Sequence, residues 1–302
     1  MSILRVTLID VGWGDSIFLE TSDQKGKKHY ALIDSNDSST LRSSYIFVRR
    51  FFEKEYAKQN LKLPDPKTQP LFDWVLLTHA HGDHAEGLKR LMQGFGAARF
   101  WYPNTKLFQP AQAGVKPQRP VYLAALLRFV KRSKVVKRYR PVDNQTRIPG
   151  FGSVAVKVLW PPPNHNSSNE NNNSVVLAMT LGQVSFVLTG DAEADAWNSV
   201  SPGQTKPLYS FIPPDTRFFK VPHHGAENGM FDFSGHPRTP WLNALSSDTK
   251  LGISSHVQPY PHPSPSVVAE INKWKLECYR TDLHYHVTVV TDGTKTWMEY
   301  SH

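Results

Sequence analysis

Apolar and polar residues alternate in the first block of the chain, a pattern typical of half-buried β-strands. The alternation covers residues 4–9, 16–20 and 29–33. A Gly12-Trp13-Gly14-Asp15 turn separates the first two runs, and a polar loop at residues 23–28 separates the last two. This part of the sequence therefore predicts a β-meander.

The apolar spacing changes from strand-like to helical after residue 40. Apolar residues recur every three or four positions up to residue 59, and Ser38, Ser39 and Thr40 precede them as candidate N-caps. Prolines between residues 64 and 70 then force an extended connection. The apolar run at residues 72–78 that follows predicts a buried strand.

The rest of the chain carries strand and helix signals around one low-complexity tract. The Asn- and Ser-rich tract at residues 161–173 cannot bury enough apolar surface to fold alone, so we predict a loop there. Helices are predicted at residues 86–92, 122–139 and 264–275, and strands at residues 174–180, 184–189, 217–221 and 252–255 and in a C-terminal pair.

Length and composition are those of a globular chain. Of its 302 residues, 39% are hydrophobic and 20% charged, which allows a sizeable core. Its apolar runs are far shorter than the ~20 residues needed to cross a bilayer, and Arg5 and Asp10 interrupt any signal-peptide hydrophobic region. We therefore predict a cytoplasmic protein without a membrane segment. The lone cysteine, Cys278, excludes an internal disulfide framework and a thiolate-cage zinc site.

The formal net charge of +9 is concentrated in one segment. Residues 106–147 contain eleven Lys or Arg and a single acid, whereas the remainder has 24 basic and 25 acidic residues. Positive charge concentrated in this way raises the local concentration of a polyanion. Lys131, Arg132, Lys134 and Arg138 on the predicted helix are therefore candidate nucleic-acid contacts. The alternative is a solvated helix face that keeps the protein soluble.

The clearest chemical signal is the run His79-Ala80-His81-Gly82-Asp83-His84, directly after an apolar strand. Imidazoles and carboxylates are poor core residues because each needs a buried partner, but they are good metal ligands. Alternation in an extended loop points His79 and His81 the same way, while Asp83 and His84 face a second point. We therefore predict two metal sites, and two ions ~3.5 to 4 Å apart would activate a water and stabilise an oxyanion.

The run resembles the hallmark of the metallo-β-lactamase superfamily, and the likeness covers nearly the whole chain except residues 100–150. The order of the other motifs is similar to that of the ComEC-like branch, named for a competence protein whose hydrolase domain is linked to DNA degradation during uptake. These motifs are Asp10-Val11-Gly12-Trp13-Gly14-Asp15, Leu32-Ile33-Asp34, Ser174-Val175-Val176-Leu177, Leu188-Thr189-Gly190-Asp191, Val221-Pro222-His223-His224-Gly225, Tyr260-Pro261-His262-Pro263 and Arg280-Thr281-Asp282.

This resemblance implies an α/β fold, specifically an αββα sandwich of two mixed sheets with outer helices. Residues 1–302 would form one domain with a basic helical insertion at about residues 102–148. The resemblance also implies two divalent ions, Zn or Mn. Their ligands would be His79 and His81 for the first metal, Asp83, His84 and His224 for the second, and Asp191 as the bridge; Asp83 and Asp191 would also be catalytic.

The sequence departs from the superfamily pattern at the first metal. Most dinuclear members place a further His before the strand at residues 174–180, where this chain has Asn171, Asn172 and Asn173. His165 lies in the same tract but several residues too early. The first site is therefore expected to be the weaker one, completed by water or an Asn oxygen, and such a shell suits Mn²⁺.

Further residues are expected to face the substrate. His262 lies where the ComEC-like branch has a His-Pro, and we predict that it donates a hydrogen bond or a proton to the reacting phosphate; a surface loop histidine is the alternative. His224 is favoured over His223 as the ligand of this pair, and His223 is expected either to support a ligand or to face the substrate. Trp13 replaces a common Gln and Ala226 a common Ser, which would reshape the pocket.

From these residues we predict a metal-dependent hydrolase that cleaves phosphodiester bonds, specifically a nuclease with nucleic acid as its partner. The fold alone does not fix the substrate, because related sandwiches cleave several kinds of bond. One alternative is a phosphodiesterase for a small choline-phosphate ester or nucleotide. The other is a nucleic-acid-binding module with a vestigial metal site.

Overall fold

Two mixed β-sheets form the centre of the computed structural model, which describes residues 2–38, 40–105, 121–234 and 238–300. The first sheet has eight strands. In order across the sheet they are β14 (Thr296–Tyr300), β13 (Val287–Thr291), β1 (Leu4–Leu8), β2 (Ile17–Ser22), β3 (Lys28–Ile33), β4 (Trp74–Leu76), β5 (Ala97–Pro103) and β6 (Val136–Val142). Pairing is antiparallel from β14 to β3 and parallel from β3 to β6.

The second sheet has six strands and likewise combines antiparallel and parallel pairing. They are β12 (Cys278–Arg280), β11 (Lys250–Ile253), β10 (Thr216–Lys220), β9 (Val184–Leu188), β8 (Val176–Leu181) and β7 (Ala155–Trp160). Strands β9 to β12 are parallel, and β7, β8 and β9 are antiparallel.

The period-two alternation seen in the sequence separates two apolar layers. On β4, Trp74 and Leu76 pack into the core between the sheets, whereas Val75 packs on the outer side. On β10, Phe218 points into the same central core and Phe219 into the outer layer of the second sheet. Because successive side chains of a strand point to opposite faces, each buried strand serves two layers at once.

Helices cover both outer faces. On the first sheet, α1 (Ser43–Ala57), α3 (Leu88–Phe95) and α4 (Val121–Arg132) contribute to its outer apolar layer. On the second sheet, the outer layer includes residues of α5 (Ala194–Asn198), α6 (Glu227–Met230) and α7 (Pro265–Lys273). The short helices α2 (Gly82–Ala85) and α8 (Thr281–His284) lie at strand ends. This arrangement confirms the predicted αββα sandwich with two mixed sheets.

The predicted meander, the strand at residues 72–78 and the later strands are confirmed to within a few residues. The predicted helix at residues 122–139 is wrong beyond Arg132, because the chain turns there and continues as β6 at the sheet edge. Lys134 therefore lies in a turn and Arg138 on an edge strand. The alternation in β6 is masked by a run of exposed basic residues, which hid this strand from the sequence pattern.

Two local predictions also need correction. Asp37, not Ser38 or Thr40, holds the start of α1, because its carboxylate accepts hydrogen bonds from the backbone N–H groups of Ser44 and Tyr45, both at 2.9 Å. Ser39 lies outside the described residues. The Asn tract is not only loop, since Glu170–Asn173 forms a 3₁₀ turn whose three asparagines are buried.

None of the helices in the described ranges combines the length and apolar character that crossing a bilayer requires.

Candidate metal centre

The candidate metal centre lies where parallel strands of both sheets end. Asp34 follows β3, the His79 to His84 loop follows β4, Asp191 follows β9, and His224 follows β10. The carboxyl ends of parallel strands share one edge of a sheet, and ligands commonly bind there. The sandwich thus brings residues from four distant parts of the sequence to one place.

The metal-binding loop is held in shape by close backbone contacts. Gly14 has φ of +100°, and a Cβ built on it would lie 2.3 Å from the Asp83 carbonyl oxygen. The next residue, Asp15, donates its N–H to that carbonyl at 3.2 Å. Glycine is therefore required at this position both by its backbone conformation and by the close approach of the two loops.

Three imidazoles converge on one buried carboxylate. The Nε2 atoms of His84 and His224 lie 3.2 Å from Asp191 Oδ2, and that of His79 lies 4.0 Å from it. Asp83 Oδ2 lies 3.5 Å from His224 Nε2. Donor atoms of Asp83, His84, Asp191 and His224 all lie within 4.8 Å of one another. The structure therefore brings the residues predicted for the second metal together with the predicted bridge.

The opposite ring nitrogens are held by neighbouring acceptors. His84 Nδ1 lies 2.8 Å from Asp34 Oδ2, and His224 Nδ1 lies 2.9 Å from the Ser254 carbonyl oxygen. A carbonyl or a carboxylate can only accept, so each Nδ1 donates and each Nε2 is left for a metal ion. Asp34 is itself fixed by two hydrogen bonds from Thr78, at 2.7 and 2.6 Å.

The electrostatics of the buried cluster are those of a cation site. Burial lowers the pKa of His84, but the carboxylates of Asp191 and Asp83 outweigh it and raise that pKa well above the usual range. The same balance raises the pKa of His224 to about 10. Burial raises the pKa of Asp191, but His224 and His84 outweigh it and hold that pKa well below its usual range. The carboxylates of the cluster thus create a negative potential that favours bound positive charge and suits divalent cations.

A buried lysine completes the network behind these ligands. Lys220 Nζ lies 2.8 Å from Asp15 Oδ2, and both side chains are fully buried. Asp15 in turn lies 3.6 Å from His224 Nδ1 and 3.9 Å from His84 Nδ1. Asp15, Asp34 and His84 also form a compact donor cluster. The Lys220 ammonium already supplies a positive charge there, which makes this second cluster a support for the ligands rather than a metal site.

The predicted first metal site is less complete. Its two nitrogens, His79 Nε2 and His81 Nδ1, lie 3.0 Å apart. In the Asn tract, the side-chain oxygens of Asn172 and Asn173 accept backbone N–H groups, and only the buried Oδ1 of Asn171 lacks a partner among the described residues. His165 packs against Trp160, at 4.7 Å between ring centroids. Within the described residues, His165 belongs to neither cluster of possible metal donors.

The donor set passes a simple test of fit to a metal. Asp191 Oδ1 is buried and has no hydrogen-bond partner within the described part of the chain. A buried carboxylate oxygen without a partner is costly, and a cation would satisfy it. Nitrogen and carboxylate donors without thiolate suit Zn²⁺ and Mn²⁺.

His223 lies beside the ligand cluster but has different partners. Its Nδ1 lies 3.3 Å from Glu193 Oε1, and Asn171 approaches its Nε2 at 3.4 Å. Glu193 is held in turn by Asn169 and Asn171, each at 2.8 Å. His223 and His224 both have positive φ, 49° and 53°. This backbone conformation is unfavourable for residues with a side chain, and such strain commonly marks functional sites.

An aromatic wall borders the centre. Trp13 packs on His224 with ring centroids 4.8 Å apart, on Tyr260 at 4.9 Å and on His262 at 5.2 Å. Tyr260 is exposed. Burial, then the charges of His224 and His223, lowers the pKa of His262, so its neutral form is favoured beside the cluster. The structure therefore places His262 next to the ligands, joined to them through Trp13.

Sequence reasoning assigned no role to Asp15, Asp34, Lys220 or Glu193. Asp15 and Asp34 occur in motifs that carried the resemblance, which was the one available signal. Lys220 reads as an ordinary strand residue, and only the fold shows its burial against Asp15. The predicted basic contacts Lys131, Arg132, Lys134 and Arg138 are all exposed, whereas Lys106, Lys116 and Arg119 lie outside the described residues.

The comparison with protein families decides the relationship. The sequence model described as the metallo-beta-lactamase superfamily matches residues 72–231, which is more than half of the chain. The chain belongs to the metallo-beta-lactamase superfamily. Membership confirms the family and fold predicted from the motifs, and it makes the chain a hydrolase of this superfamily with residues that could hold divalent metals.

Among curated proteins, ComE operon protein 3 of Bacillus subtilis (strain 168) is similar to this metallo-beta-lactamase superfamily chain. The two are 24% identical over 282 residues. The match covers 92% of this chain and 32% of the relative, so the chain spans about a third of the length of the curated relative it matches.

Solved structures of the superfamily are also similar. The metallo-β-lactamase MIM-1 from Novosphingobium pentaromativorans has 15% identity and a TM-score of 0.35, with 72% of this chain and 76% of that chain covered. A long-form RNase Z from yeast has 10% identity and a TM-score of 0.45, with 86% of this chain and 38% of that chain covered.

Proposed function

We propose that the chain is a metal-dependent phosphodiesterase, and specifically a nuclease. The observation that carries the proposal is the convergence of His79, His84 and His224 on the buried Asp191 carboxylate. His81 and Asp83 complete the ligand set. Two bound divalent ions would supply a water of lowered pKa as nucleophile and charge stabilisation for the oxyanion.

The chain's own residues prepare the centre for this chemistry. Asp34, Thr78 and the Ser254 carbonyl fix the imidazoles through Nδ1, so that the ligand nitrogens need no reorganisation. Burial excludes water from Asp191 and His224, which strengthens every electrostatic interaction there.

His262 and His223 are proposed to act on the phosphate from the open side of the centre. Their ring centroids lie 6.2 Å apart. Neither histidine belongs to the cluster of possible metal donors. An imidazole beside the ligands can hydrogen-bond a non-bridging oxygen or protonate the leaving oxygen. Glu193 orients His223 through its 3.3 Å contact.

The excess of positive charge supports a polyanionic substrate. Lys131, Arg132, Lys134 and Arg138 are exposed on α4, on the following turn and on β6. Surface charge of one sign attracts the opposite polyion and speeds its encounter with the site. The motif order shared with the competence-protein branch, whose hydrolase domain is linked to DNA degradation, supports the same class of substrate.

One observation favours a second candidate, a phosphodiesterase for a small ester. The aromatic wall of Trp13 and Tyr260 at the mouth of the centre would suit a quaternary ammonium group or a single nucleobase. A vestigial, non-catalytic site is disfavoured because the donor cluster and its Asp34 and Ser254 supports are intact.

A cleavage panel separates these functions. The purified chain is incubated with single-stranded DNA, duplex DNA, RNA and a chromogenic phosphodiester, each with Mn²⁺, Zn²⁺, Mg²⁺ or chelator, and with Asp191→Asn as the blank. Metal-dependent cleavage of polymers is the expected result. Cleavage of the small ester alone favours the second candidate, and binding of polymers without cleavage by any metal indicates a vestigial centre.

A further inference from the structure

A groove of about 1210 Å³ runs along the outer side of the first sheet between α3 and α4. It is distinct from the ligand cluster, because none of the clustered donors lines it. Its lining includes six cationic side chains; they are Lys67, Lys89, Arg90, Arg128, Arg132 and Lys134. These six residues define what is called here the basic groove.

The basic groove has a net surplus of positive charge, because its lining includes six cations and two acids. Its two acids are already engaged: Asp37 accepts two backbone N–H groups of α1, and Glu86 accepts a hydrogen bond from the Tyr122 hydroxyl at 3.3 Å. Within the described ranges, no ion pair involves any of the six cations. Six like charges around one concavity repel each other unless an anion enters it.

The basic groove reaches the metal-binding loop at one end. Ala85 and Glu86, which follow His84 directly, belong to its lining. Tyr122, at the start of α4, packs so closely on the loop that a Cβ built on Gly82 would lie 2.8 Å from its hydroxyl. At ~1.5 Å per residue, α4 then carries the groove roughly 15 Å away, to Arg132 at its other end. The cations therefore form a track that begins beside the candidate metal centre.

The lining also has apolar and aromatic surface. Leu126 and the half-buried Phe129 of α4 face the basic groove together with the exposed Tyr122. Proteins that bind single-stranded nucleic acid combine a positively charged groove for the backbone with aromatic rings on which bases stack. Duplex DNA offers its phosphates but not its stacked bases, so it would use the cations alone.

We propose that the basic groove binds a single-stranded nucleic acid and leads its backbone to the candidate metal centre, an inference that rests on the proposed nuclease function. It changes the set of contacting residues expected from the sequence. Lys89 and Arg90 of α3 lie outside the basic segment at residues 106–147 but line the groove, whereas Lys131 and Arg138 of that segment are not among its lining residues. The fold, rather than the density of charge along the chain, selects the contacts.

The test measures binding without catalysis. The anisotropy of a fluorescein-labelled oligo-dT strand is followed with excess chelator, from about 50 to about 300 mM salt, for the parent chain and for two matched double variants. Lys89→Gln with Arg132→Gln removes one lysine and one arginine from the basic groove. Lys131→Gln with Arg138→Gln removes one lysine and one arginine from exposed positions outside the groove. Thermal melting checks that both variants fold.

The groove variant is expected to bind at least ~10-fold more weakly at the lowest salt, and its slope of log affinity against log salt should fall by ~1.4, which corresponds to two lost phosphate contacts. The control variant should stay within ~2-fold of the parent and keep most of the slope. Equal losses in the two variants, no loss in either, or no binding by the parent would overturn the proposal.

Two further outcomes separate the groove from the nuclease function. If the parent chain cleaves no phosphodiester but the groove variant alone binds oligo-dT more weakly, the groove proposal stands and the proposed function is rejected. If the parent chain cleaves nucleic acid but the groove variant binds oligo-dT as tightly as the control variant, the proposed function stands and the groove proposal is rejected. Tighter binding of duplex than of oligo-dT would also reject the single-strand assignment.

Discussion

At the scale of single residues, Asp191 is the proposed bridge between the two candidate metal positions. One of its oxygens faces three imidazole nitrogens, and the other has no partner among the described residues. The motif Thr189-Gly190-Asp191 allowed this carboxylate to be proposed from the sequence. The Ser174 hydroxyl accepts a hydrogen bond from the Asp191 N–H at 3.0 Å. This contact could not be inferred from the sequence, because it depends on how β8 and β9 are paired.

Replacing Asp191 by Asn should abolish hydrolysis and lower metal affinity by at least ~100-fold, since loss of a mere outer-shell partner already costs 10- to ~100-fold. The amide keeps the shape but not the charge that both ions need. Elemental analysis and equilibrium metal binding give the readout. Glu193→Gln is the control, because the Glu193 carboxylate contacts Asn169, Asn171 and His223 and none of the clustered metal donors. Wild-type metal content in Asp191→Asn would show that the bridge is wrong.

The buried pair Asp15–Lys220 is a second residue-scale feature with a measurable effect. Lys220→Met should destabilise the fold by ~3–5 kcal/mol, because it leaves the Asp15 carboxylate buried and unpaired between His84 and His224. Combining it with Asp15→Asn should restore much of the loss, since no buried charge then remains alone. Urea unfolding of the two single variants and the double variant measures the coupling. Strictly additive losses would mean that the two side chains do not interact.

At the scale of elements, the sequence predicted strands better than the segments between them. Period-two alternation on β1, β3 and β9 is a local signal, because alternate residues of each strand point into the core between the sheets. The end of α4 and the start of β6 carry no such signal, since the exposed cations of Lys137 to Arg140 resemble a helix face as much as an edge strand. The Asn tract likewise gave no sign of its buried 3₁₀ turn, whose order comes from hydrogen bonds to Glu193 and Glu170.

That tract is expected to make the two candidate metal positions unequal. Asn171 to Asn173 stand where a histidine would complete the first site, and two of the three side chains are committed to hydrogen bonds. Calorimetric titration should therefore resolve one tight and one weaker site, and activity should rise with filling of the weaker one. Replacing Asn171 by His should tighten the weaker site, with Asn172→His as the control because its oxygen accepts the Glu193 N–H. Two equally tight sites in the parent would contradict this prediction.

Strand β2 carries a glutamate, Glu20, whose pKa is raised above its usual value. Burial raises the pKa of Glu20 to about 7, although Arg5 opposes it. A proton held more tightly in the folded state than in the unfolded one stabilises the fold at low pH, and that contribution is lost as the pH rises through about 7. Glu20→Gln should therefore raise the free energy of unfolding at pH 8, by up to ~3 kcal/mol, and have little effect below pH ~4.5.

Urea unfolding across this pH range measures the effect. Glu299→Gln on the other side of Arg5 is the matched control. Burial raises the pKa of Glu299, but two 3.1 Å hydrogen bonds from Arg5 outweigh it and lower that pKa. Glu299→Gln should therefore lower the free energy of unfolding at pH values above the usual pKa of a glutamate, whereas Glu20→Gln should raise it. A gain at pH 8 in both variants would show that removal of negative charge in general, not burial of Glu20, is responsible.

At the scale of the whole molecule, the candidate metal centre joins the two sheets. Asp83 and His84 follow β4 of the first sheet, whereas Asp191 and His224 follow strands of the second. The resemblance predicted this sandwich from motif order, because most of the motifs mark the end of a strand. Which cations of the outer helices face a common groove was beyond such reasoning, since it depends on the packing of α3 against α4.

Because ions held at this junction bind the folded chain through both sheets, they should stabilise the whole sandwich. Free metal at about 100 times its dissociation constant adds ~2.7 kcal/mol to the free energy of unfolding, and at 2 to ~4 °C per kcal/mol the melting temperature should rise by at least ~5 °C. Differential scanning calorimetry with Mn²⁺, Zn²⁺ or chelator gives the shift. Asp191→Asn and His224→Ala, which remove donors from the second sheet only, should each lose most of it. The shift should persist in the Lys89→Gln, Arg132→Gln variant, and its disappearance there would mean that the metals are held by something other than the junction.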